Sequence, residues 1–340
     1  MDRVVFHQEV IEALAADRPV VVLETAVLTH GLPRRSLDHL PGCFAEGRAL
    51  HHLGESAWNQ AEPVNLATSR AMSHAVRMGG AVPATIAVID GALHVGITPE
   101  QLERLSGIEA DKCSTRDLAA TLQDGGCGGT TVAGTLSAAS IANDILRARG
   151  LAELRLFATG GIGGVHRDWA CHPDISADIR AISITPMLVV TAGAKIILDL
   201  PATREALDTS MIPVIGWRCD NFPRFTSRGS DEQPLERRLD DLERLSSLCR
   251  IHWNDLKREE GILLLNEIPM EDALDGDMVE EIVERACSTA QDEGIKGQAL
   301  TPYLLTALAE ATSGDSLDAN IALLLENARL AAEASKALTV

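Results

Sequence analysis

The sequence predicts an α/β layered fold, and two observations carry that prediction. Short runs rich in aliphatic and β-branched residues (PVVVLET, ATIAVIDG, RLFATGG, MLVVTAG, VIGW and GILLLN) alternate with longer stretches of helical period. The runs are apolar throughout instead of alternating with polar residues, which is the pattern of strands covered on both faces.

In chain order, PVVVLET is the first clear strand and ends at Glu24. A helix is expected from about Asn65 to Met78, followed by the strand ATIAVIDG. Between Pro33 and Pro63 lies a stretch with no clear period, rich in His, Arg and Gly, which reads as an inserted loop or lid over about residues 35–62. RLFATGG, MLVVTAG, VIGW and GILLLN supply later strands. The last hundred residues read as nearly all helical, with apolar spacing in MVEEIVERA, TPYLLTALAE and LDANIALLLENARLAAEA. Ser316 is placed to cap the final helix, and Thr301–Pro302 to open the one before it. Pro, Gly and Ser are scattered and never pooled into a linker, so residues 1–340 are expected to form one domain.

Composition narrows the function. A formal charge of −19 repels a polyphosphate backbone and argues against a nucleic acid polymer as partner, while still allowing a small phosphorylated ligand. Aromatic residues make up 3% of the chain, too few to form stacking platforms for single strands. Seven cysteines include no CxxC pair, MDRVVFHQEVIEALAADRP lacks the apolar core of a secretory signal, and no apolar run is long enough to span a bilayer. A cytoplasmic protein with free thiols and no membrane partner is expected.

The segment FATGGIGGVHRDWACHPDISAD is the most informative. Its glycines, Gly160, Gly161, Gly163 and Gly164, directly follow a strand, so the backbone can turn sharply and present amides to an anion; a flexible turn would look the same. Asp174 and Asp178, with Ser176 between them, have the spacing to ligate a hard divalent cation, although spacing alone favours capping by Asp174 with Asp178 on a solvated face. His166 taken alone is a hydrogen-bonded loop residue as readily as a catalyst. Lys195 sits inside the apolar run MLVVTAGAKIILDL, where an ammonium is costly unless it is paired or its pKa is lowered, and a lowered pKa suits imine formation; a buried stem with a solvated head is the alternative. Glu24, at a strand end, is placed for proton transfer or for capping. Lys112 in DKCSTRDL and Asn320 inside the apolar LDANIALLL complete the candidates.

Together, ET-x4-HG-x-P (24–33), GAVPATIAVIDG (80–91), FATGGIGGVHR (157–167), DISAD (174–178), AGAK-x2-LDLP (192–201), PVIGW (213–217), TPYLL (301–305) and SLDANIALLLENARLAAE (316–333) resemble the pseudouridine-5′-phosphate glycosidase family, in order and over nearly the whole chain. The resemblance implies an α/β/α layered sandwich with a central mixed sheet and a helical C-terminal region, assembled as a homotrimer. It implies reversible hydrolysis of pseudouridine 5′-phosphate to uracil and ribose 5-phosphate, with a divalent metal, typically Mn2+. Carbon is a poor leaving atom for an ordinary glycosidase carboxylate pair, so the implied route is covalent: the ribose opens, Lys195 attaches at its anomeric carbon, and an iminium serves as electron sink while the uracil carbon is protonated. By position, Glu24 is implied as proton donor and acceptor, Lys195 as nucleophile and Asp178 as metal ligand, mostly through water. Lys112, Thr159, His166, Ser176 and Asn320 match positions around the sugar phosphate and base, and Thr130 and Thr131 head a helix where phosphate would be favoured.

The chain departs from the family pattern at Thr25-Ala26-Val27, where a second hydroxyl residue is usual, at LNEIP, at the long 33–63 segment and at HRDWACHP, which adds His172 as a further candidate ligand. Two other functions therefore compete: a glycosidase for a different nucleoside phosphate, and a non-catalytic sugar-phosphate-binding protein. Retention of Glu24, Asp178 and Lys195 together disfavours the second, because binding alone does not require all three.

Overall fold

A computed structural model of the chain describes residues 3–48, 50–53, 57–167, 169–170, 173–295 and 300–338, the side chains of residues 301 and 302 excepted. In chain order its first half comprises β1 (Val4–Phe6), α1 (Gln8–Ala15), β2 (Val20–Leu23), α2 (Val64–Met78), β3 (Val82–Ile89), β4 (Ala92–Val95), α3 (Pro99–Gly107), β5 (Asp111–Cys113), α4 (Leu118–Gln123), β6 (Gly128–Thr130) and α5 (Val132–Ala148). There follow β7 (Leu156–Ala158), β8 (Val165–His166), α6 (Ala177–Ile182), β9 (Leu188–Thr191), β10 (Leu198–Asp199), α7 (Leu200–Thr209), β11 (Val214–Trp217), β12 (Arg238–Leu239), α8 (Leu242–Arg250), β13 (Ile262–Asn266), α9 (Gly276–Asp292), α10 (Leu300–Ala311) and α11 (Asp315–Leu338).

The main sheet runs β1-β4-β3-β2-β7-β9-β13-β11-β12, with β6 and β5 joined through β3. From β3 to β12 along this path the strands are parallel, whereas β4 and β6 pair antiparallel with the distal half of β3, so the sheet is mixed. Strands β2, β7 and β9 are buried along their whole length. Alternate residues enter two separate cores. Val20, Val22, Phe157, Val189 and Leu263 pack with α5, α9 and α10 on one face. Val21, Leu23, Leu156, Val190 and Leu264 pack with α2 and α11 on the other. This is the three-layer α/β/α arrangement that fully apolar strands require, each buried Val or Leu contributing about 1.5–3 kcal/mol.

The helices start where local chemistry favours it. Thr98 and Gln101 form a capping box on α3, and Pro99 occupies its first turn. Thr131 caps α5, Ser176 caps α6 and Asp199 caps α7. Ser316, expected to cap the last helix, instead lies in its first turn, and its amide donates to the Thr312 hydroxyl 3.2 Å away. The C-terminal hundred residues are less purely helical than their period suggests, since β13 sits between β9 and β11 inside the sheet.

At the crossing of α2 and α11, Gly79 ends α2 so close to its neighbour that an added Cβ would lie 2.3 Å from Ala332 Cβ. Gly79→Ala is therefore expected to lower stability by about 1–3 kcal/mol through overpacking, measured by denaturant unfolding. An unchanged midpoint would show that the crossing relaxes freely.

The 35–62 segment contains the single 3-10 turns Gly42–Phe44 and His51–Leu53. Cys43, Phe44, Leu50, Leu53, Ala57 and Trp58 nevertheless join the core under α2 and α11. Six cysteines among the described residues are free thiols. Among the described residues no helix is long and apolar enough to cross a membrane.

Candidate active site

Neighbouring parallel strands β2, β7 and β9 end at one cleft. The chain leaves β2 toward β3 on one side and β7 toward β9 on the other, and a crevice opens at the carboxyl ends of the strands where these directions diverge. The crevice measures about 510 Å³, and its walls include Glu24 after β2, Gly160, Gly161, Gly163 and His166 after β7, and Lys195 after β9. Lys112, Thr131, Ser176, Asp178 and Asn320 also line it, so the fold brings together eight of the ten residues expected from the sequence. No lining residue comes from 35–62 among the described residues.

Thr130 and Thr159 stand behind the wall. Thr130 is fully buried, and its hydroxyl donates to Ile86 O at 2.9 Å and accepts from Thr135 Oγ1 at 2.8 Å. It ties β6 to β3 and does not line the cleft. Thr159, also fully buried, donates its hydroxyl to Glu24 Oε1 and so orients that carboxyl group from beneath.

Two amides of the glycine loop are turned inward. Ile162 N donates to Gly193 O at 3.0 Å and Gly163 N donates to Asp178 Oδ2 at 2.8 Å, so these amides are consumed inside the protein. Glycine is needed at 163 for close approach: a Cβ there would lie 2.3 Å from Ser176 Oγ and 3.0 Å from Asp178 Oδ2. Asp178 is buried, not solvated, and Ser176 rather than Asp174 caps α6. The other Asp178 oxygen accepts from Ala133 N at 2.9 Å, placing a carboxylate at the N-terminus of α5, where the helix dipole favours it.

Charge and burial shape the titration of the site. Loss of water at the cleft floor raises the Glu24 carboxyl to about 7; the Thr159 hydrogen bond and the ammonium groups of Lys195 and Lys112 pull it down, and Asp178 pushes it up. Lys112 remains exposed at the rim, yet partial desolvation and the neighbouring Lys195 charge lower its pKa. Desolvation likewise lowers His166, opposed by Asp174 at 4.0 Å. Lys195 itself is half-buried, with its amide donating to Ile162 O at 3.2 Å and its carbonyl accepting from Leu198 N at 3.0 Å.

Several cleft residues escaped the sequence reading. Ser114, Thr115 and Arg116 come directly after Lys112 and its neighbour Cys113 and extend a basic and hydroxyl-rich wall, a signal present in DKCSTRDL. His30 also lines the cleft, beside Lys112; its Nδ1 lies 2.7 Å from the Thr29 hydroxyl, and partial desolvation and the Lys112 charge lower its pKa. Phe225, whose ring backs Gly161, and the buried Asn327 amide, which donates to Thr159 O at 2.8 Å and accepts from Asn266 Nδ2 at 3.0 Å, had no local signal at all. Asn266 opens the divergent NEIP stretch, which thus supports the loop from behind.

Among the described residues no three His, Cys, Asp or Glu side chains gather as a metal cage. Both Asp178 oxygens accept amides and keep one lone pair each, while Asp174 lines the cleft with its carboxyl half exposed. That donor set fits a hard cation held by one or two carboxylates and water, and not an all-protein site. His172 lies outside the described residues.

Comparison with known proteins identifies the family. The family model described as indigoidine synthase A like protein matches residues 59–337. Relatives named pseudouridine-5′-phosphate glycosidase from Sorangium cellulosum and Jannaschia sp. are 40% and 41% identical, the alignments covering 99% and 98% of this chain and 94% and 98% of theirs. A crystal structure of the prealnumycin C-glycosynthase in complex with ribulose 5-phosphate superposes with a TM-score of 0.78 at 36% identity, covering 100% of this chain and 98% of that one. An indigoidine synthase A-like protein from Thermotoga maritima gives 0.78 at 29% identity, covering 99% and 97%. The chain belongs to the indigoidine synthase A-like family of pseudouridine-5′-phosphate glycosidases.

Proposed function

We propose that this protein hydrolyses the C-glycosidic bond of pseudouridine 5′-phosphate reversibly, giving uracil and ribose 5-phosphate, with Lys195 as nucleophile and Glu24 as proton donor and acceptor. One observation carries this: a half-buried lysine shares a cleft with a carboxyl group whose pKa is raised to about 7, so acid and base forms are both populated at neutral pH. The relatives' names and the ribulose 5-phosphate in the glycosynthase structure point the same way.

The residues divide the work. Lys112, Ser114 and Arg116 offer cations and a hydroxyl to the phosphate, with Thr131 beside them. Ala26, Val27, Phe225 and Leu324 give the base an apolar wall, and the Asn320 amide offers it one donor and one acceptor. As the sugar opens, the neutral Lys195 Nζ bonds to C1′ while the C1′–O4′ bond breaks, and the proton that the nitrogen sheds passes to O4′. Glu24 then protonates the uracil carbon; the C1′–C5 bond electrons restore the uracil double bond, and the nitrogen lone pair stabilises C1′ as an iminium. Water adds, the amine leaves, and ribose 5-phosphate departs.

In the same proposal Asp178 and Asp174 would hold a divalent cation, Mn2+ by the resemblance, with water completing the shell, and the bound cation would supply positive charge to the site. The homotrimer and the cytoplasmic setting implied by the resemblance belong to it too, and sedimentation of the full chain tests the former. The central experiment is ultraviolet detection of uracil from pseudouridine 5′-phosphate with manganese and, separately, with a chelator. Equal yields of uracil and ribose 5-phosphate, reduced by the chelator, are expected. No turnover with manganese present, against turnover of another nucleoside phosphate, would move the substrate assignment.

A further inference from the structure

Next to the nucleophile lies an arginine that the reaction itself does not use. Arg167 follows His166 at the end of β8, and its side chain turns away from the cleft toward the C-terminal helices. Its Nη1 and Nη2 donate to Glu280 Oε1 and Oε2 on α9 at 2.6 and 3.0 Å, a two-pronged pair in which both side chains are about one-third exposed or less. The same Nη2 also donates to the carbonyl oxygen of Ile196, the residue after Lys195, at 3.1 Å.

That last bond completes the fixing of the lysine's backbone. On its N-terminal side the Lys195 amide donates to Ile162 O at 3.2 Å, and its carbonyl closes a turn by accepting from Leu198 N at 3.0 Å. Beyond the turn, β10 pairs antiparallel with β8, setting Leu198 opposite His166. Within the turn, Ile196 and Ile197 are fully buried, so their side chains anchor the segment but leave their peptide groups in need of partners. Arg167 supplies one of those partners and, through Glu280, ties the turn to a 17-residue helix.

We propose that Arg167 is a positioning residue for Lys195: the Glu280–Arg167–Ile196 chain holds the turn at 195–198 so that the ammonium carrier enters the cleft at a fixed height relative to Glu24. The inference rests on the Lys195 imine chemistry above. Attack on C1′ is sensitive to distance, and a shift of about 1 Å in the nucleophile can cost on the order of a hundredfold in rate. Substrate binding depends on Lys112, Arg116 and Asn320, none of which Arg167 touches.

The test uses the full chain and two readouts, steady-state uracil release and the rate at which borohydride traps ribose phosphate on the protein. In Arg167→Met, kcat and trapping rate should fall together by about ten- to a hundredfold, with KM changed by less than about threefold. Glu280→Gln should give a smaller loss of the same kind. The double variant should be no worse than Arg167→Met alone, because the two act as one chain. Arg167→Lys, which keeps a donor for Ile196 O, should recover part of both rates. Should Arg167→Met prove unstable, Glu280→Gln carries the same comparison. Wild-type-like kcat and trapping in folded Arg167→Met and Glu280→Gln, or losses confined to KM, would overturn the proposal. Absence of trapping in the wild-type protein would instead bring down the imine chemistry, and this inference with it.

Discussion

Lys195→Ala is expected to stop uracil release altogether, a loss of at least about a thousandfold, and to abolish borohydride trapping. The expectation follows from where the covalent bond must form. Cleaving carbon from carbon requires a group that can carry positive charge at C1′ while the base leaves, and within the cleft the nitrogen able to do so by imine formation belongs to Lys195 or Lys112. Lys112 is exposed at the rim beside Ser114, Thr115 and Arg116, a setting suited to a phosphate. Lys195 is half-buried at the end of β9, and its charge acts on Glu24, Lys112 and His166 alike. Removal of its side chain leaves the Ile162 and Leu198 backbone hydrogen bonds in place, so the variant should fold. Matching circular dichroism and unfolding midpoints would verify this. Residual activity above a tenth of wild type, or trapping that persists and is lost only in Lys112→Ala, would transfer the nucleophile's role to the rim lysine.

How far the site could be read in advance depended on whether its signal was local. Glu24, His166 and Lys195 come after apolar runs, and a parallel sheet covered on both faces gathers the residues beyond its strand ends along one edge, so their meeting is a consequence of the strand pattern. The role of Asp178 did not emerge from pattern. Its neighbours suggested a solvated helix face, whereas the carboxylate is buried because it satisfies Ala133 N and Gly163 N, which lie 45 and 15 residues away. The same holds for Thr130, placed by sequence at a helix head but drawn inward by the hydroxyls of Thr25 and Thr135 and the carbonyl of Ile86. Asn327, Phe225 and the Arg167–Glu280 pair join segments far apart in the chain, and no window of sequence contains both ends of those contacts. Helix starts were legible where the cap is a side chain on the adjacent residue, as at Thr131, and misread at Ser316, where the capping hydroxyl comes from Thr312 in the preceding turn.

Glu24→Gln should lower kcat by about a hundred- to ten-thousandfold and remove the pH dependence that the carboxyl group imposes. The carboxyl lies near 7 because burial disfavours its charged form, so in the cleavage direction, where it must deliver a proton, the wild-type rate should hold below about 7 and fall above it. The amide of the variant still accepts from Thr159 Oγ1 and keeps nearly the same shape, which makes the change one of proton transfer and not of packing. Stability provides an independent check with its own sign. A carboxyl group with an ordinary value of 4.5 that rises to about 7 on folding binds more protons in the native than in the unfolded state between those limits. Its favourable contribution is therefore complete below 4.5 and is lost as pH climbs through 7. Unfolding of both proteins in chelator should show Glu24→Gln gaining about 3 kcal/mol on wild type between acid and pH 8, since the other titrating groups are common to both and cancel. A flat difference across that range would mean that the carboxylate stays ionised and solvated in the cleft. The proton delivered to uracil would then have to come from elsewhere, with His166 and His30 the next groups on the cleft wall to test.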